Sequence, residues 1–167
     1  MGEYVLLKGI KQNRWLDVPS WLVSGEAPAD CLPDFNTERN ELSVFRLPRA
    51  EAEMLAQRVV VALAAGRQNL DHYDYVLIDA DRVEGVPIEA NRTRGGTGDE
   101  QVDDLHVDLV NLTASAVAKL AAIILEVATA GELRRLHKSD VKTGIQKAVE
   151  LSHLDKSKLH ENLRKSL

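Results

Sequence analysis

Residues 42–79 place a strand, a helix and a second strand in direct succession, and that succession confines the chain to a mixed fold. Leu42-Ser43-Val44-Phe45-Arg46-Leu47 alternates apolar and polar residues, the period of a half-buried strand. Pro48 ends that strand and suits a helix start. Ala50 to Ala65 follows, rich in helix formers, with Ala52, Leu55, Val59 and Ala62 at helical spacing and Gly66 as a C-terminal cap. Val59-Val60-Val61 leans towards a strand, but the surrounding residues outweigh it. Tyr75-Val76-Leu77-Ile78 is a continuous apolar run between charged residues, as in a buried strand. The expectation is a βαβ-like unit over residues 42–79 with a right-handed crossover. The alternative is an antiparallel arrangement with the helix lying on one face.

Tyr4-Val5-Leu6-Leu7 adds a short strand, which makes a small sheet of about three strands and a fold of the α/β or α+β class. The C-terminal half reads as helical. Thr113 is a good N-cap, and Val117, Leu120, Ile124 and Val127 form a core-facing stripe that Ile123 and Leu125 widen. Gly131 ends or kinks that helix. Ser139-Asp140 caps a helix carrying Val141, Ile145 and Ala148, and Asp155 opens a last one with Leu159, Leu163 and Leu167. Leu105–Leu112 suits either a short helix or a strand. The expected organisation is a body of residues 1–112 with a mobile loop at 82–104, and a helical region of residues 113–167 packed on it. At 167 residues the whole fits one domain better than two. Aromatic residues are only 4%, so Leu, Val, Ile and Ala must fill the core.

Charge is sorted along the chain. Residues 51–112 hold 13 acidic and 5 basic residues, and residues 113–167 hold 10 basic and 6 acidic. An acidic middle joined to a basic tail suggests electrostatic docking, within the chain or onto a partner. Asp99, Glu100, Asp103 and Asp104 gather in and after the Gly-rich stretch at 95–98 and form one candidate partner-binding surface. The glycines do not suggest a phosphate cradle, because Asp99 and Glu100 stand where Lys and Ser/Thr are needed. A second candidate surface is the Pro-punctuated segment Trp15–Asp34, where Trp15 and Trp21 are available as aromatic anchors. The competing reading buries both tryptophans in the core.

Three constellations suggest other chemistry. Val76-Leu77-Ile78-Asp79-Ala80-Asp81 puts two carboxylates just past an apolar strand, and hard cations take such oxygen ligands. It resembles the first motif of haloacid-dehalogenase-type phosphatases, which implies Asp79 as nucleophile, Asp81 as acid and magnesium as cofactor. Gly98-Asp99 with Asp103 echoes that family's later acidic motif, but only 20 residues on and with no lysine between. His106 and Asp108 lie on one face if residues 105–112 form a strand, where they are able to share a metal, and diverge by about 200° on a helix. Residues 150–165 resemble the helix-turn-helix of small bacterial regulators. That resemblance implies that Lys156, Ser157, Lys158, His160 and Arg164 face DNA, with Leu159 and Leu163 as support. It departs at His153, where the turn usually has glycine, and at Asn162, where an apolar residue is expected.

No further catalytic motif is present. Cys31 is the lone cysteine, with no basic neighbour to activate it, and reads as a buried small hydrophobe. One cysteine forms no internal disulfide, which suits a cytoplasmic setting, and Met1-Gly2-Glu3-Tyr4 lacks the pattern of a signal peptide. The apolar stretch from Ala114 to Ala130, interrupted by Lys119 and Glu126, reads as too short and too charged to cross a membrane. The expectation is a small cytosolic bacterial protein without enzymatic activity or cofactor. It would bind another protein as an accessory subunit or an antitoxin- or immunity-type neutraliser, and homo-oligomers are compatible with this. DNA binding and magnesium-dependent hydrolysis are the alternatives.

Overall fold

The computed structural model describes residues 2–17, 19–20, 22–23 and 25–165. In chain order the elements are β1 (Tyr4–Ile10), α1 (Gln12–Leu16), β2 (Leu42–Pro48), α2 (Ala52–Ala65), β3 (Tyr73–Asp79), α3 (Ala80–Val83), β4 (Glu89–Arg92), α4 (Glu100–Asp103), β5 (His106–Val110), α5 (Ala114–Val127), β6 (Arg134–Leu136), α6 (Lys138–Glu150) and α7 (Glu161–Arg164). The six strands form one sheet in the order β4-β5-β2-β1-β3-β6, and every pairing is antiparallel. The class is α+β, and the sheet is twice the expected width.

The expected βαβ unit is split. β2 and β3 are each antiparallel to β1 and therefore parallel to one another, but β1 lies between them. The reason is in the N-terminal strand itself. Val5, Leu6 and Leu7 are all buried, so β1 needs cover on both faces and takes the centre of the sheet. The strands that sequence reasoning missed are the weakly patterned ones. β4 has four exposed residues, and β6 is three residues long with two arginines. Both are charged sheet edges, which resist pairing with other chains.

Each sheet face carries its own core. Val5, Leu7, Phe45, Leu47, Tyr73 and Tyr75 pack under α2. Val141 and Ile145 of α6, with Leu154, Leu159 and Leu163 beyond it, belong to the same cluster. Nine of the 14 residues of α2 are buried, including Val59, Val60 and Val61. That burial explains how a valine run persists as helix, since packing overrides weak propensity. α6 approaches α2 so closely that a Cβ on Gly144 would lie 2.5 Å from Val61 Cγ2. On the opposite face, Leu6, Ile10, Val44, Val76, Ile78, Val107 and Leu109 pack against α5 and against Trp15, Cys31 and Phe35.

The stretch at 82–104 is not a structureless loop. It carries β4 and α4 and is stitched by bonds from Gly95 N to Asp103 O at 3.0 Å and from Thr97 N to the Asp103 carboxylate at 2.7 Å. Nor is the last expected helix formed. Residues Lys156–Lys158 make one 3-10 turn, α7 has four residues, and Leu167 lies outside the described residues. The region 113–167 also contributes β6, which pairs with β3 of the body.

Candidate functional site

The sheet opens at one end. β1 and β2 pair only as far as Leu7 opposite Phe45, although β1 continues to Ile10 and β2 begins at Leu42. Beyond that point β1 follows β3 and β2 follows β5. An open cleft of about 1260 Å³ occupies this end, and Lys8, Gly9, Ser43, Phe45, Arg67 and Tyr73 are among its lining residues.

Two buried carboxylates organise the rim. Asp34, at the end of the 3-10 turn Ala29–Asp34, accepts bonds from Lys11 N at 2.8 Å, Arg14 Nη1 at 2.5 Å and Trp15 Nε1 at 2.8 Å. Asp74 on β3 accepts the forked guanidinium of Arg135 at 2.6 and 2.9 Å and the Gln12 amide at 3.0 Å. Burial alone would raise the Asp74 carboxyl, but the Arg135 fork and the Gln12 amide overcome it and hold the group below the usual carboxylate range. Between them these two side chains anchor the N-terminal turn of α1 and, through Trp15, the irregular segment that follows.

Lys8 differs from every charge around it. On β1 it alternates with Leu6 and Ile10 on the face that holds Trp15 and Phe35. Burial pushes its amine down to about 8, and the nearby Asp34 only partly restores it. Among the described residues it has no ion-pair partner within 4.0 Å. On the cleft's other wall, Arg67 lies over the Tyr73 ring at 4.2 Å from the centroid.

The acidic cluster is largely internal. Asp99 is buried, caps α4 through the Gln101 and Val102 amides, and receives Arg58 Nε and Nη2 at 2.6 and 2.8 Å. Asp103 is buried and bonded to Thr97, while Glu100 and Asp104 are exposed. The basic C-terminal chain does fold back onto this loop. Asp155 N donates to Gly98 O at 3.1 Å, and Gly98, at φ +87°, faces the Lys158 side chain where a Cβ would come within 2.7 Å. The acidic surface is therefore half the size expected, because the loop's own donors and Arg58 consume two of its four carboxylates.

Trp15 is fully buried and held by Asp34, with its ring centroid 6.1 Å from that of Phe35, so it is not an exposed anchor. Trp21 lies outside the described residues. The segment does expose Leu16 (43%), Val23 (66%) and Leu32 (52%), three of the five exposed large hydrophobics among the described residues. Cys31 is buried, with Sγ 3.0 Å from the Arg14 carbonyl oxygen; burial pushes its thiol up to about 11.

The other constellations fare differently. β5 is a strand, and His106 and Asp108 do share a face, with Nε2 3.8 Å from Oδ1. Thr93 Oγ1 bridges them, 2.8 Å from His106 Nδ1 and 2.7 Å from Asp108, and Ser43 Oγ donates to Asp108 at 2.9 Å. Among the described residues no group of three or more His, Cys, Asp or Glu is placed to hold a metal. Asp79 is engaged by Arg49 Nη2 at 2.5 Å, and Asp81 is exposed. Sites at strand ends belong to parallel sheets, whereas β3 is antiparallel to both neighbours, so the phosphatase resemblance lacks its setting.

The helix-turn-helix reading is corrected as well. Lys156, Ser157 and Lys158 form a single turn capped by Asp155, His160 spends its Nδ1 on the Asn162 amide at 3.3 Å, and Arg164 ends a four-residue helix. Among the described residues no recognition helix extends from this segment, because Leu154, Leu159 and Leu163 are drawn into the α2 core. One expectation about α5 also changes. With the π turn after it, Ala114–Glu132 has 19 residues and a mean hydropathy of 1.6, enough by length and composition alone to cross a membrane. In the fold its buried face, from Ala116 to Ala128, is part of the core over the sheet.

Sequence reasoning did not single out Lys8, Asp34, Arg58 or Asp74. Lys8 left a readable trace as a lone charge at an inward position of an apolar strand. No protein-family model matches this chain, and neither a curated protein nor a solved structure matches it.

Proposed function

We propose that this is a non-enzymatic cytoplasmic protein that acts by binding another protein, as an accessory subunit or a neutraliser, and that residues 12–34 form its contact surface. The observation that carries this reading is the exposure of Leu16, Val23 and Leu32, of which Leu16 and Leu32 adjoin the two ends of the segment that are pinned from below. Trp15, Cys31 and Phe35 are buried beneath it, and Asp34 ties its start to its end with three hydrogen bonds. A braced support that presents apolar side chains suits binding, because little ordering entropy is lost on contact. The acidic loop takes a smaller part, with Glu100 and Asp104 as its outward carboxylates.

The test is substitution of the three exposed residues together, L16S/V23S/L32S, followed by tandem affinity purification from the native host beside the unaltered chain. The reading expects one protein, retained at a fixed ratio by the unaltered chain, to be lost from the variant while its melting temperature holds. Retention of the same protein at the same ratio by the folded variant contradicts the assignment of this surface.

A further inference from the structure

We propose that the cleft at the open end of the sheet is a binding site for a small organic acid, whose carboxylate pairs with the ammonium of Lys8. This inference does not rest on the protein-binding reading, although Leu16 and Asp34 of that segment also line the cleft.

Three observations carry it. β1 and β2 separate after Leu7 and Phe45, so Lys8–Ile10 and Leu42–Val44 have no partner strand across the gap, and Lys8, Gly9, Ile10 and Ser43 border a cleft large enough for a small metabolite. Lys8 is the one cation on the inward face of β1, half-buried between Leu6 and Ile10, and has no ion-pair partner among the described residues. The buried carboxylates nearby are already committed, Asp34 to three donors and Asp74 to Arg135 and Gln12. A partly desolvated ammonium without a direct ion pair gains more from an incoming anion than a hydrated surface lysine does.

The ligand class follows from the balance of charge. Lys8, Lys11, Arg67 and Arg135 line the cleft, and so do Asp17, Asp34, Asp71 and Asp74. A lining of four cations and four carboxylates has no excess positive charge to hold a phosphate dianion. Lys8 alone of these four cations is half-buried, the others being exposed, and one half-buried ammonium matches one carboxylate. The depressed amine, near 8, agrees with this role, since at neutral pH it is mainly protonated and serves as a counter-ion rather than a nucleophile. Gly9 and Ser43 line the same cleft.

The experiment is a titration of the full chain with acetate, succinate and inorganic phosphate at low ionic strength, followed by amide chemical shifts and melting temperature. The Lys8→Met variant is titrated in parallel; it removes a buried charge without removing volume and is expected to fold. The proposal expects saturable shifts at Lys8, Gly9 and Ser43 with a carboxylate, affinity roughly tenfold or more weaker in the variant, and a fall in affinity as pH rises past 8. Three results would overturn it: no saturable shift at those residues with either carboxylate, equal affinity in Lys8→Met, or saturation by phosphate alone. V23S/L32S, which spares the cleft-lining Leu16, should bind the carboxylate normally, which separates failure of this site from failure of the protein-binding surface.

Discussion

Arg58 in α2 grips the buried carboxylate of Asp99 through two nitrogens, at 2.6 and 2.8 Å. The same carboxylate caps α4, so a single ion pair joins the helix that crosses the sheet to the loop where the acidic residues gather. Removing one partner leaves the other charge buried and unpaired, at a cost of about 3–5 kcal/mol. Arg58→Ala should therefore lose stability on that scale in urea unfolding. Arg58→Lys should recover only part, because an ammonium does not reproduce the fork. A loss below about 1 kcal/mol would place the pair among surface ion pairs of little consequence.

Lys8 makes stability rise with pH, as a depressed carboxyl does, but in the alkaline range rather than the acidic one. Its amine titrates near 8 in the folded chain and near 10.5 when unfolded. Between those values the unfolded chain holds a proton that the folded chain has released, so stability rises with pH. The gain from pH 8 to 9 is about 1 kcal/mol. Cys31 acts the other way from pH 9 to about 11, because its folded thiol keeps a proton that the unfolded thiol loses. Urea unfolding at pH 8 and 9 should show the rise in the unaltered chain and its absence in Lys8→Met. An equal rise in both would remove Lys8 as the cause.

Cys31 is closed to chemistry while the fold stands. Its thiol is buried and raised to about 11, so little thiolate exists at pH 8 and none is accessible. Ellman's reagent should react with the protein at pH 8 only after urea unfolds it. Prompt reaction of the native chain would show that the 29–34 turn opens readily.

Gly144 marks the closest approach of α6 to α2. An alanine there gains about 1 kcal/mol of helix propensity. Its Cβ would lie 2.5 Å from Val61 Cγ2, and overpacking of that kind costs about 1–3 kcal/mol. Gly144→Ala should destabilise the protein on balance, and adding Val61→Ala should restore part of the loss. Stabilisation by Gly144→Ala alone would mean that the two helices separate at little cost.

What the chain revealed of itself follows from how local each signal is. α2 and α5 announce themselves by spacing and caps, and Thr113 does accept the Ala116 amide at 3.1 Å. β2 and β3 are equally plain, and the apolar run Val5-Leu6-Leu7 suits a central strand, but which two strands flank it is a pairing choice no local pattern encodes. β4 and β6 are short charged edges, without the alternation that marks a half-buried strand. The candidate sites divide the same way. His106 and Asp108 share a face because strand geometry requires it. Asp99 reads as a surface acid until Arg58, 41 residues earlier, is seen to reach it. Trp15 looked available as an anchor because its partner Asp34 is 19 residues away.

The central claim is that residues 12–34 meet another protein, and site-specific photo-crosslinking in the native host tests it most directly. A photoreactive residue replaces Leu16 or Leu32 in turn, with Met54 and Leu151 as controls because they are also exposed hydrophobics but lie outside this segment. The account predicts one common adduct with a different protein from Leu16 and Leu32, and none from Met54 or Leu151. Adducts from the control positions alone, or no adduct from any of the four, would contradict it.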